Sequence, residues 1–177
     1  PLIPLEIHEH ADEPRLLAPG VAGNRLGRAG GPEEGLLDEI EGLVGVLHQH
    51  TGTCVESRDE TYAVMEAVDT RYVKFGPDVG QLAKGGSDPV KVVKDFLPVI
   101  QHMHLKDFSG GQHYLGYSPL GEGKVDLVAI LDLMEGKQTA GMVMVELDSS
   151  PNMPLSGLET AKIAKAFLQK QGVQFRS

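Results

Sequence analysis

Four times in succession between residues 44 and 172, a short apolar segment ending in polar residues is followed by a segment with helical spacing and a capping signal. The apolar segments are VGVLHQH (44–50), RYVKFG (71–76), VIQHMHL (99–105) and GMVMVEL (141–147). Each is short and runs into turn residues, which marks a buried strand. The helices are marked by their first turns. Ser57 with Glu60, and Ser156 with Glu159, form S-x-x-E capping boxes, Asp88 precedes Pro89, and Asp126 stands before an apolar run. Gly172 is placed to end the last helix. Such alternation predicts a parallel sheet with helices packed outside it. Function in such sheets gathers at the C-terminal strand ends. Here the segments after the strands are indeed the long polar ones. PDVGQLAKGGSD and DFSGGQHYLGYSPLGEGKV are expected to be loops, the second shaped by Gly121 and Gly123.

Ahead of the four units, Pro32 with Glu33 and Glu34 gives a further helix start. Residues 1–31 are Gly-rich and aperiodic, and are expected to form an irregular N-terminal segment before a domain over 32–177. LIPLEIH is strand-like, but Pro4 within it and Pro1 just before it weaken that assignment.

Net charge is −9, without a run of basic residues to neutralise phosphates, so a nucleic-acid partner is disfavoured. Cys54 is the only cysteine, which rules out an internal disulfide and a Cys-rich zinc knuckle. No apolar run approaches the roughly 20 residues that span a bilayer, and the first residues lack the pattern of a signal peptide. The expectation is a cytoplasmic enzyme or binding domain without a membrane partner.

Six of the seven histidines occur as H-x-H pairs, at 8 and 10, 48 and 50, and 102 and 104. Alternation along a strand puts both members of a pair on one face. In the third strand that face runs Ile100, His102, His104; in the fourth it runs Met142, Met144, Glu146. The second strand delivers Asp78 just beyond Pro77. Four adjacent parallel strands would therefore present His48, Asp78, His104 and Glu146 along one rim. Two imidazoles and two carboxylates suit Mn²⁺, Co²⁺, Zn²⁺, Fe²⁺ or Mg²⁺ rather than soft Cu⁺. His8 and His10, without H-E-x-x-H spacing, are treated as incidental.

HQHTGTCVES, GPDVGQLAKGGSDPVKVVKDF, HMHLKDF, PLGEGKVD and MVMVELDSSP, in this order, resemble the sugar phosphate isomerase/epimerase superfamily, with its xylose isomerase-like (β/α)8 barrel. Within it the sequence looks most like the inosose dehydratase branch. The resemblance runs from about residue 40 to the C-terminus and implies a parallel (β/α) barrel of TIM type, of which only the C-terminal four units are recognisable. It also implies a divalent metal, commonly Mn²⁺ or Co²⁺, on His48, Asp78, His104 and Glu146. The chemistry implied is proton abstraction next to a metal-bound carbonyl of a sugar or polyol. Glu146, His50 and Lys106 are the expected catalytic groups, Lys106 by polarising a substrate oxygen unless it is a solvated surface lysine. Gln81, His102, Asp107 and Glu122 are the expected substrate contacts.

Two departures from the family pattern bear on the chemistry. His48 stands where keto-sugar epimerases usually carry glutamate, which favours dehydration over symmetric two-glutamate epimerisation. Gln81 replaces the histidine of the usual aspartate-x-x-histidine, and an amide cannot shuttle a proton. Half a barrel would also expose sheet edges. The competing expectations are thus an inactive half-barrel that self-associates as a homo-oligomer and, disfavoured by charge, an abasic-site endonuclease relative.

Overall fold

The structure, a computed structural model, describes residues 5–7, 45–135, 143–151 and 153–175, with the backbone alone for 5–7. The helix expected from Pro32 and the histidines at 8 and 10 lie outside the described residues.

The four expected units are present. Strands β2 (Gly45–Leu47), β3 (Val73–Phe75), β4 (Met103–Leu105) and β7 (Val143–Val145) are followed by helices α1 (Arg58–Ala67), α3 (Pro89–Phe96), α4 (Leu127–Glu135) and α5 (Gly157–Lys170). Both capping boxes form, and Asp88 caps α3 with Pro89 in the first turn. All strand pairs among these units are parallel. β2 pairs with β3, and β4 with β7, in ladders. Bridges from Phe75 to Ile100 and from Asp78 to His104 join the two pairs. The result is a parallel run β2–β3–β4–β7 with helices, which does not close into a barrel among the described residues.

Alternation decides what each face does. Met103 and Leu105 are fully buried while His104 between them is only partly covered, and β7 repeats the pattern with Val143 and Val145 around Met144. The covered side chains join Leu47, Phe75 and the helix residues Met65, Val92, Val93, Ile130 and Leu168 in one hydrophobic cluster. Full burial of each such side chain is worth about 1.5–3 kcal/mol, which fixes the register. The opposite face is left for polar groups.

The structure corrects four sequence expectations. A three-residue strand, β1 (Leu5–Ile7), lies in the segment read as irregular and pairs in parallel with β7; Pro1 and Pro4 precede those three residues, so neither removes a donor from this ladder. The third strand starts later than expected, because Leu97–Val99, containing Pro98, forms a 3₁₀ turn. PDVGQLAKGGSD is not all loop, since it contains helix α2 (Val79–Lys84) with Asp78 as its N-cap. The long Gly- and Tyr-rich segment carries a small antiparallel pair, β5 (Asp107–Phe108) with β6 (Tyr117–Ser118).

Asp107 explains why that long segment is ordered. One carboxylate oxygen accepts from the backbone N–H groups of Gly121 and Gly123 (3.0 and 2.9 Å), the other from Phe108 and Val125 (2.8 and 3.1 Å). A side chain at 123 is impossible without rearrangement, because a Cβ there would meet Asp107 Oδ1 at 2.1 Å. Asp107, expected at the substrate, is a buried clamp for the loop leading into α4.

Candidate metal centre

The C-terminal ends of four adjacent strands bring the expected ligands to one place, as two overlapping groups rather than one square. Asp78, His104 and Glu146 have donor atoms within 4.8 Å of one another, and so do His48, His102 and His104. His104 belongs to both.

Each side chain is set by its backbone. His48 follows β2, and its Nδ1–H donates to the carbonyl of Gly76 at 3.0 Å. That bond fixes the tautomer and leaves Nε2 with a free lone pair, the usual support of a ligating histidine. Asp78 is fully buried, its Oδ1 capping α2 at the N–H of Gln81 (2.9 Å) and its Oδ2 facing Lys106 (3.4 Å). His104 is the middle residue of β4, and its Nδ1 meets Glu146 Oε2 in a close contact. The second oxygen of Glu146 lies 3.2 Å from the ammonium of Lys106.

Lys106 is not the solvated lysine that its sequence context allows. It is fully buried, with Nζ 2.8 Å from Asp148, 3.2 Å from Glu146, 3.4 Å from Asp78 and 4.2 Å above the ring of Tyr117. Its stem passes Gly80, where a Cβ would meet the Lys106 Cγ at 2.7 Å. Burial works against the ammonium, but the surrounding carboxylates outweigh it and hold Lys106 protonated far above neutral pH. Lys106 therefore acts on the site as a fixed positive charge.

The charge balance suits a divalent cation. Burial would raise Glu146, but its bond to His104 and the charge of Lys106 outweigh that and hold the carboxyl well below its usual range. Burial pushes Asp78 up to about 6 against the pull of Lys106. Burial and the neighbouring His104 bring His48 down to about 4 and lower His102 as well, so these imidazoles are neutral and free to donate. Three carboxylates against one ammonium leave a surplus of two negative charges at neutral pH (3 − 1 = 2). Imidazole nitrogens and carboxylate oxygens converging on such a surplus fit a borderline or hard divalent ion.

A solvent-facing group adjoins this centre. His50 is exposed, with Nδ1–H donating to Thr51 O (2.7 Å) and Nε2 accepting from the Gln81 amide (2.8 Å). Gln81 also accepts from the Thr51 N–H (3.1 Å) and hydroxyl (2.6 Å), so it is buried and orients His50 rather than standing open. Glu122 is exposed in the loop that Asp107 clamps.

Gln49, Asp148 and Tyr117 also line this centre, beyond the residues expected from the sequence. Asp148 had a usable signal, since it is a second acidic residue two positions after Glu146, just past the end of β7. Gln49 is fully buried, and its amide donates to Asp78 O (2.8 Å) and accepts from Asp78 N (3.4 Å). A polar residue between the two histidines that follow a buried strand was the signal. Gln49→Leu is expected to destabilise the chain by about 1–3 kcal/mol, because it leaves buried peptide groups of Asp78 unpaired. A urea titration measures this, and a change within error would mean that Gln49 is replaceable packing.

The family model described as xylose isomerase-like TIM barrel matches residues 36–171. The chain belongs to that family. Family membership agrees with the parallel strand–helix order and with functional groups at the C-terminal strand ends. Inosose dehydratases are among the curated proteins similar to this chain. That of Clostridium botulinum (strain Alaska E43 / Type E3) is 27% identical over 168 residues, covering 86% of this chain and 53% of the relative. That of Clostridium beijerinckii is 27% identical over 175 residues, covering 90% and 55%. The chain thus spans about half the length of the curated relatives it matches. Among solved structures, the IolI protein with a bound zinc atom superposes with a TM-score of 0.61 at 21% identity, covering 81% of this chain and 54% of that one. The probable 3-DHS dehydratase AsbF of Bacillus anthracis gives 0.60 at 21% identity, covering 79% and 53%. At such identities these superpositions establish the shared fold. No helix among the described residues is long and apolar enough to cross a membrane.

Proposed function

We propose that this chain carries the metal-binding half of a cytoplasmic enzyme that removes a proton next to the carbonyl of a sugar or polyol ketone, with loss of water as the favoured outcome. The observation that supports this is the convergence of Asp78, His104 and Glu146, with His48 alongside, at the ends of four parallel strands. A bound divalent cation, Mn²⁺ or Co²⁺ in first place with Zn²⁺, Mg²⁺ and Fe²⁺ open, supplies polarisation of the carbonyl and stabilises the charge that develops on its oxygen. The remaining work falls to the chain's own groups. Lys106, itself paired with Asp148, holds the ligand carboxylates Asp78 and Glu146 in place. His50 takes the proton at Nε2, the nitrogen that accepts from Gln81 in the resting arrangement. It is exposed, polar and oriented, as a general base requires.

Dehydration is favoured over epimerisation because His48 occupies the place of a second carboxylate, and because the curated relatives named above are inosose dehydratases. An inosose, a cyclic polyol bearing one ketone, is the substrate class proposed. Metal-loaded protein incubated with inosose in D₂O is expected to exchange the hydrogen next to the ketone, seen by proton NMR, and to lose that exchange in His50→Ala. Stoichiometric metal without any exchange would refute the proposed chemistry. A second reading, association of two copies through the unclosed sheet, rests on the open strand run and predicts a dimer in light scattering.

A further inference from the structure

The mixed set leaves one residue unexplained. His102 lies one alternation earlier on β4's polar face, half-buried, and makes no hydrogen bond among the described residues. Its ring stacks at 9° to His48 with centroids 6.3 Å apart, and His104 lies 5.3 Å from His102 and 4.5 Å from His48. Gly76 places both outer rings. Its carbonyl accepts from His48, and its missing side chain makes room for His102, whose Cε1 and Nδ1 lie 2.6 and 2.8 Å from where a Cβ would stand.

We propose that His48, His102 and His104 form a second station for a divalent cation, made only of imidazoles, which takes a nitrogen-preferring ion such as Zn²⁺, Co²⁺ or Ni²⁺. It shares His104 with the mixed station and so rests on that reading of the site. The donor atoms already lie within 4.8 Å of one another. Imidazole suits Zn²⁺ and Ni²⁺, whereas carboxylate oxygens suit Mg²⁺ and Mn²⁺. A three-imidazole station beside a carboxylate station thus lets ion identity decide where the metal sits. A substrate oxygen would then meet a cation on the β2 side or on the β7 side of His104.

The test is calorimetric titration of metal-free full chain with ZnCl₂ and with MnCl₂, for the unaltered protein, His102→Ala, His48→Ala and Glu146→Gln, each first confirmed as folded by its thermal melt. His102→Ala and His48→Ala are expected to weaken Zn²⁺ by about tenfold or more while changing Mn²⁺ much less. Glu146→Gln is expected to do the reverse. Unchanged Zn²⁺ affinity in both histidine variants, or equal losses for the two ions, overturns the imidazole station. Unchanged Mn²⁺ affinity in Glu146→Gln instead removes the mixed station, and the histidine variants still decide this inference through Zn²⁺.

Discussion

Lys106→Met is expected to destabilise the protein more than any other single change at the site, by about 3–5 kcal/mol, the usual cost of removing one partner from a buried ion pair. The methionine fills the space beside Gly80 and under Tyr117, so the effect is electrostatic rather than a cavity. What remains is Asp78, Glu146 and Asp148 facing one another without the cation that now lies within 3.4 Å of all three. For a chain of this length the loss corresponds to a fall of roughly 6–20 °C in the melting temperature. Excess Mn²⁺ should recover part of it, because an ion that binds only the folded state replaces some of the missing charge. A melt within 2–3 °C of the unaltered protein, on the order of 1 kcal/mol, would mean that water rather than Lys106 solvates these carboxylates.

His104→Ala is expected to have the largest effect on metal binding. His104 is the one residue common to both donor groups, and its Nδ1 also meets Glu146. Losing it deprives either station of a donor and frees the Glu146 carboxylate to rotate. Affinity for Zn²⁺ and Mn²⁺ should both fall by roughly a hundredfold or more, since even residues that merely support a ligand are worth 10–100-fold. Its effect on folding should be small by comparison, because its ring faces the open side of the sheet and the hydrophobic cluster lies on the other. Glu146→Gln, in contrast, weakens only the mixed station.

How much of this was legible in the sequence depended on range. Capping boxes at Ser57 and Ser156 are local hydrogen-bond patterns, and both appear as expected. Strand alternation is equally local, and it put His104 and Glu146 on the polar face. The short helix after β3 was hidden because Asp78 has two roles: one oxygen caps α2, and the other turns to Lys106. Lys106 itself could not be placed from its neighbours. Its burial depends on three carboxylates separated from it by up to 42 residues and on the space left by Gly80. The clamp made by Asp107 was hidden for a related reason. An acidic residue at a strand end looks catalytic, but the glycines 14 and 16 residues later expose N–H groups that satisfy it as a clamp. Long-range partners, not residue type, separate a candidate ligand from a structural carboxylate.

Whether these strand ends hold a divalent cation is tested most directly by metal content. The full chain, purified without chelator and dialysed after exposure to Mn²⁺ or Zn²⁺, is expected to retain about one ion per chain by elemental mass spectrometry. His104→Ala, handled in parallel and shown to be folded, should retain close to none. An unaltered protein that keeps no metal, or a folded His104→Ala that keeps as much as the unaltered chain, would contradict the assignment.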